Sequence, residues 1–149
     1  MWNKRRSLLL SKAGVILVIA FLLGLMGVGP WAVQAVIKVS HGATPPMYPY
    51  LLATLYTGAA ALLPTLYQLY RLLYNIGKEK VFVRENVAYM RRISWLCILG
   101  ACIALVSSVY WMLWLPVAGA AAFVGLICRV VKNVLAEAVA LKEENDYTI

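Results

Sequence analysis

Three long stretches of this chain contain no Asp, Glu, Lys or Arg: residues 13–37, 39–70 and 93–128. About 20 apolar residues at ~1.5 Å rise cross the ~30 Å hydrocarbon core of a bilayer, so each stretch can hold a transmembrane helix. A chain in lipid must bond its own backbone polar groups, which favours helices over isolated strands. The third stretch has 36 residues and as one helix would extend about 54 Å. It therefore reads as a hairpin of two short helices. The expectation is an all-α polytopic membrane protein with four transmembrane helices in one domain. The spans fall at about 13–37, 48–73, 93–111 and 115–132, with an amphipathic loop over 74–92 and a helical tail over 133–149.

Composition supports lipid burial. Of the 149 residues, 63% are hydrophobic and 13% charged, against roughly 25% charged in soluble domains. A formal charge of +8 would suggest nucleic acid in a soluble chain. Here it reads as topology, and no direct nucleic-acid binding is expected. Of the 14 Lys and Arg, all but Lys38 lie on the side that carries both termini and the middle loop, and so do all six acidic residues. Cytoplasmic segments collect Lys and Arg, so both termini and the loop are expected in the cytoplasm.

Local signals refine the layout. The basic head (Lys4, Arg5, Arg6, Lys12) and the apolar run after it resemble a secretory signal, but the run exceeds the usual ~7–15 residues, so a retained helix is expected. Pro30 should kink that helix. Residues 38–47 form a loop with His41, the only histidine, and the pair Pro45-Pro46. Tyr48, Tyr50, Tyr67, Tyr70 and Tyr74 mark the two ends of span two, where a ring with a polar tip suits the interface. Gly77 suits a helix C-cap. Val83, Val87, Met90 and Ile93 recur at three- and four-residue spacing, which predicts an amphipathic helix running into span three. The turn of the hairpin is expected at Trp111 to Trp114, with Pro116 starting the fourth helix. The tail carries Glu137, Lys142, Glu143 and Glu144 on one side and Leu135, Val139 and Leu141 on another. Residues 145–149 read as non-helical.

The chain offers little chemistry. No charge lies at mid-span, where an ionisable group would be the default functional site. One histidine and three scattered cysteines (Cys97, Cys102, Cys128) make no metal or redox spacing. Ser107 and Ser108 lack a base partner at their depth, and read as helix-helix hydrogen bonds or back-bonds to the preceding turn. Gln34, Thr54, Thr57, Thr65 and Gln68 read the same way, with a small polar path as the alternative. Gly24 and Gly27, and the run from Ala118 to Gly125, would let helices approach, within one bundle or in a homodimer. No cofactor and no enzymatic activity are expected.

Two segments carry a resemblance. Phe82-Val83-Arg84-Glu85-Asn86-Val87 with Met90-Arg91-Arg92-Ile93, and the terminal Leu141-Lys142-Glu143-Glu144-Asn145-Asp146-Tyr147-Thr148-Ile149, resemble the bacterial membrane family called domain of unknown function 2975. Leu is more usual in that family where Tyr147 stands. The resemblance implies a bacterial cytoplasmic-membrane protein. It also implies a small helix-turn-helix transcription regulator as cytoplasmic partner, because genes of this family often neighbour one. The leading expectation is a non-enzymatic membrane module that binds such a partner through Phe82, Asn86, Arg91 and Arg92 of the loop and Glu144, Asn145, Asp146 and Ile149 of the tail. The alternative is a small dimeric transporter or channel.

Overall fold

The structure, a computed structural model, describes residues 4–148. Among the described residues there are five α-helices and no strand: α1 (Lys4–Gly27), α2 (Gly29–Val39), α3 (Tyr48–Gly77), α4 (Arg84–Ser107) and α5 (Trp114–Tyr147). A single 3-10 turn at Pro45–Met47 leads into α3. Four helices are long and apolar enough to cross a membrane: α1, α3 with its leading turn, α4 and α5. The hairpin expected in the longest uncharged stretch is present as α4 and α5.

The first span is not one kinked helix over 13–37. It is broken at Val28 into α1 and the short α2. Pro30 is the physical cause, because it has no N–H to give the carbonyl four residues back. That carbonyl, of Met26, accepts instead from the Tyr56 hydroxyl of α3 at 3.0 Å. Gly29 makes the approach possible: a Cβ there would lie 3.0 Å from the Tyr56 oxygen and 3.1 Å from Leu55 Cδ2. The break is thus held by a neighbouring helix, and α2 turns in to pack beside α3.

The helices pack as an open series, α1 on α3, α3 on α4 and α4 on α5. Val15 and Leu22 of α1 meet Ala59 and Leu66 of α3. At the end away from most charges, Val33, Ala43 and Leu51 form a second core that Tyr110 and Trp111 of the hairpin turn cover. Thr54 links α3 to this turn. The Ser107 hydroxyl donates to the Ile103 carbonyl at 2.8 Å, so Thr54 donates to Ser107 Oγ at 2.7 Å, and Tyr110 also bonds Thr54. Thr57 and Thr65 bond back to the carbonyls of Ala53 and Ala61. These hydroxyls act within and between helices, as packing groups.

A third core, Leu72, Met90 and Ile93 with Cys97, Cys128 and Leu135 around it, joins α3, α4 and α5 near the charged end. Of the expected small-residue contacts, Gly125 lies inside the bundle, where a Cβ would come 3.3 Å from Cys97 Cβ and 3.3 Å from Ile98 Cγ1. Gly24 and Gly27 face open space. The 34 residues of α5 extend about 51 Å, well beyond the ~30 Å hydrocarbon layer. The helix continues to Tyr147, through Asn145 and Asp146, where non-helical chain was expected.

Candidate docking face at the charged end

Four segments converge at the end where the charges collect: the start of α1, the end of α3, the start of α4 and the end of α5. Lys12 of α1 and Lys78 both lie over the Tyr74 ring, at 5.3 and 4.5 Å from its centre. A cation over an aromatic face is held by the ring quadrupole, so the basic head is tied to the end of α3.

The end of α3 differs from the expectation that Gly77 caps it. The helix runs through Gly77, and Lys78 is the cap. Lys80 N–H donates to the Asn75 carbonyl at 3.0 Å and Glu79 N–H to the Ile76 carbonyl at 3.1 Å. These are the two bonds of a Schellman turn. The left-handed position that glycine usually fills is taken by Glu79, with φ of 62°. This placement leaves Asn75 three residues before the cap, where its side chain reaches α4.

Asn86 organises the connection from α3 to α4. It lies in the first turn of α4 and is fully buried. Its Nδ2 donates to the carbonyls of Lys80 and Val81, both at 2.8 Å. Its Oδ1 accepts from Asn75 Nδ2 at 2.9 Å. Both donors and the acceptor are therefore used inside the chain, and the 78–83 loop is fastened to both helices it connects. Glu85, in the same first turn, complements the positive end of the α4 dipole.

Opposite this loop, Arg84 grips Glu143 of α5 with two hydrogen bonds, Nε to Oε1 at 2.8 Å and Nη2 to Oε2 at 2.6 Å. It is the one salt bridge among the described residues. The Arg84 guanidinium holds the Glu143 carboxyl below its ordinary range, chiefly through the hydrogen bond. An exposed pair of this kind adds little stability, but its paired geometry fixes where the two helix ends sit. Below it runs a shallow groove of about 350 Å³ between α4 and α5. Arg84, Val87, Ala88 and Arg91 line one wall, and Val139 and Glu143 lie on the other. Both walls use three- and four-residue spacing, the pattern of one helix face. The floor is apolar and the ends are charged.

The sequence-nominated residues take different places. Phe82, Arg91 and Arg92 are exposed on the loop and α4, and Glu144, Asn145 and Asp146 are exposed on the last turns of α5. Of these, only Arg91 lines the groove that the Arg84–Glu143 pair borders. Asn86 does not line it, because its side chain is buried and spent on the loop. Ile149 lies outside the described residues. Sequence reasoning did not single out Arg84, Glu143, Asn75 or Val139 as a set. The available signal was the hairpin itself, since a turn near Trp111 pairs positions roughly equidistant from it. Among the described residues, no three His, Cys, Asp or Glu side chains cluster as a metal would need.

A larger groove of about 490 Å³ opens among α1, α3, α4 and α5. Its walls are mostly apolar; the Thr54 and Thr65 hydroxyls are hydrogen-bonded to the chain, while the Trp114 indole N–H is buried without a partner. Gln68 Oε1 is buried and has no hydrogen-bond partner, and Gln34 is exposed.

No curated protein and no solved structure matches this chain. A family model, described as protein of unknown function (DUF2975), matches residues 8–149. That match takes in α4, the 78–83 loop and the end of α5, so the groove between α4 and α5 lies wholly within it. With four helices able to span a membrane and a match over nearly its whole length, the chain belongs to the DUF2975 family of proteins of unknown function.

Proposed function

We propose that this chain is a non-enzymatic membrane module whose charged end, facing the cytoplasm, docks a protein partner. The observation that carries the reading is the Arg84–Glu143 clamp over an apolar-floored groove. A groove with charged ends suits an amphipathic partner helix, whose apolar anchors at i, i+3, i+4 and i+7 would enter between the walls. The cytoplasmic orientation is supported by the one-sided distribution of Lys and Arg. The preferred partner is a small helix-turn-helix transcription regulator, on the strength of the gene neighbourhood that the family resemblance implies. The large intramembrane groove is nearly all apolar, which favours docking over a polar transport path.

Co-purification of the neighbouring regulator from membranes tests the proposal. Full-length protein should retain the regulator. A chain truncated after Leu141, which loses Glu143, should not. Equal recovery would remove the tail from the mechanism, and no recovery with either chain would refute the regulator as partner.

A further inference from the structure

A second polar pocket lies on the other side of Arg91 from the docking groove. It has a volume of about 210 Å³ and is lined by Arg91, Ser94 and Trp95 of α4 with Arg129 and Lys132 of α5. The spacings, i, i+3 and i+4 on one helix and i and i+3 on the other, put these side chains on facing surfaces of the hairpin. Three of the five are cations and no carboxylate lines the pocket. Among the described residues the single salt bridge is elsewhere, between Arg84 and Glu143. Three like charges around one small space repel unless an anion joins them.

The walls are held in place. Ser94 is almost fully buried, and its hydroxyl donates to the Gly125 carbonyl at 2.9 Å. That bond ties α4 to α5 where Gly125 packs against Cys97 and Ile98. The Arg129 guanidinium lies over the Trp95 ring, 5.1 Å from its centre, which limits its rotation. An oriented guanidinium presents a fork of N–H donors that suits phosphate oxygens, and Lys132 adds a compact charge.

The depth of the pocket says where the phosphate comes from. Arg129 follows directly on the last residue of the uncharged stretch, and Trp95 lies just inside its start. Trp95 is exposed, as are Leu99, Ile127 and Val130 beside it. The pocket therefore opens where apolar helix surface gives way to charge, which is the level of lipid headgroups, where Trp also concentrates. We propose that this pocket binds the phosphate of an anionic phospholipid, one lipid seated between α4 and α5. Basic pockets between transmembrane helices are suited to such headgroups.

The test uses full-length protein in a neutral detergent, with bound lipid counted by native mass spectrometry. The probes are phosphatidylglycerol, phosphatidylcholine and inorganic phosphate. The site variant is Arg129→Gln with Lys132→Gln, which leaves Arg91 and the docking groove untouched, so lipid binding and partner capture can fail separately. The control is Lys80→Gln with Lys142→Gln, which removes the same charge elsewhere. Phosphatidylglycerol affinity should fall at least tenfold in the site variant and hold in the control, with phosphatidylcholine weak throughout. Arg129→Lys, which keeps the charge but loses the fork and its stacking on Trp95, should bind between the parent and the site variant and guards against misfolding. Equal loss in site and control variants would reduce the effect to surface charge and overturn the proposal. So would unchanged binding in the site variant, or inorganic phosphate binding as tightly as the lipid.

Discussion

Arg84 and Glu143, 59 residues apart in sequence, meet through two hydrogen bonds at the charged end of the hairpin. The pair joins the two segments that carry the family resemblance and sets the rim of the groove between them. Its pH dependence follows from the direction of the carboxyl shift. Glu143 has a folded-state pKa below its ordinary value, held there by Arg84. The stabilisation is therefore present above the ordinary carboxylate value and is lost as pH falls through the lowered one. Carbon-13 NMR of the Glu143 carboxyl should show the lowered titration, and Arg84→Gln should return it to the ordinary carboxylate range.

Asn86 should be the most sensitive polar residue of the loop. Replacing it with Ala leaves the Lys80 and Val81 carbonyls without their side-chain partner and the Asn75 amide with only its 3.4 Å bond to Glu85. Some of these reach water after the change, so the expected cost is about 2 kcal/mol. Asn86→Asp is close in shape but puts oxygens against both carbonyls, and should be at least as damaging. Thermal unfolding in detergent measures both.

Glu79 offers a change in the other direction. A left-handed conformation costs a non-glycine residue roughly 1–2 kcal/mol, and glycine gives back part of that gain in unfolded-state entropy. Glu79→Gly should raise stability by roughly 0.5–1 kcal/mol. A drop in melting temperature would mean that the Glu79 side chain contributes more than its backbone costs.

The break between α1 and α2 rests on Tyr56. Tyr56→Phe removes the donor that replaces the one Pro30 lacks, and should cost roughly 0.6–1 kcal/mol. Gly29→Ala should cost at least as much, because its Cβ would meet the Tyr56 oxygen at 3.0 Å. A Gly29→Ala chain as stable as the parent would show that α2 can swing away from α3 freely.

The architecture was legible because it depends on long-range averages. Uncharged stretches of spanning length, Pro30, and the excess length of residues 93–128 led to four spans, a disturbed first helix and a hairpin. Local details were decided by side chains meeting across the fold. Gly77 looked like a cap, but the bonds of Asn75 to both Lys80 and Asn86 put the turn two residues later. Asn86 was expected to contact a partner, yet its amide is buried and bonded to the loop carbonyls. Residues 145–149 were expected to be non-helical, yet α5 runs to Tyr147, with Glu143 paired to Arg84 one turn earlier and Val139 buried below that. The basic pocket was hidden because Arg91 and Arg129 are far apart in sequence and only the hairpin register brings them together.

The central claim is that the groove between α4 and α5 receives a partner. Ala140 lines that groove and is itself exposed, so a larger side chain there can fill the space without entering the core. Val130, on the same helix and exposed on its apolar surface, serves as the control. Capture of the proposed partner, a small helix-turn-helix regulator, by full-length protein is the direct measurement. Ala140→Trp should lower capture at least tenfold while Val130→Trp leaves it unchanged. Undiminished capture by Ala140→Trp would contradict the claim.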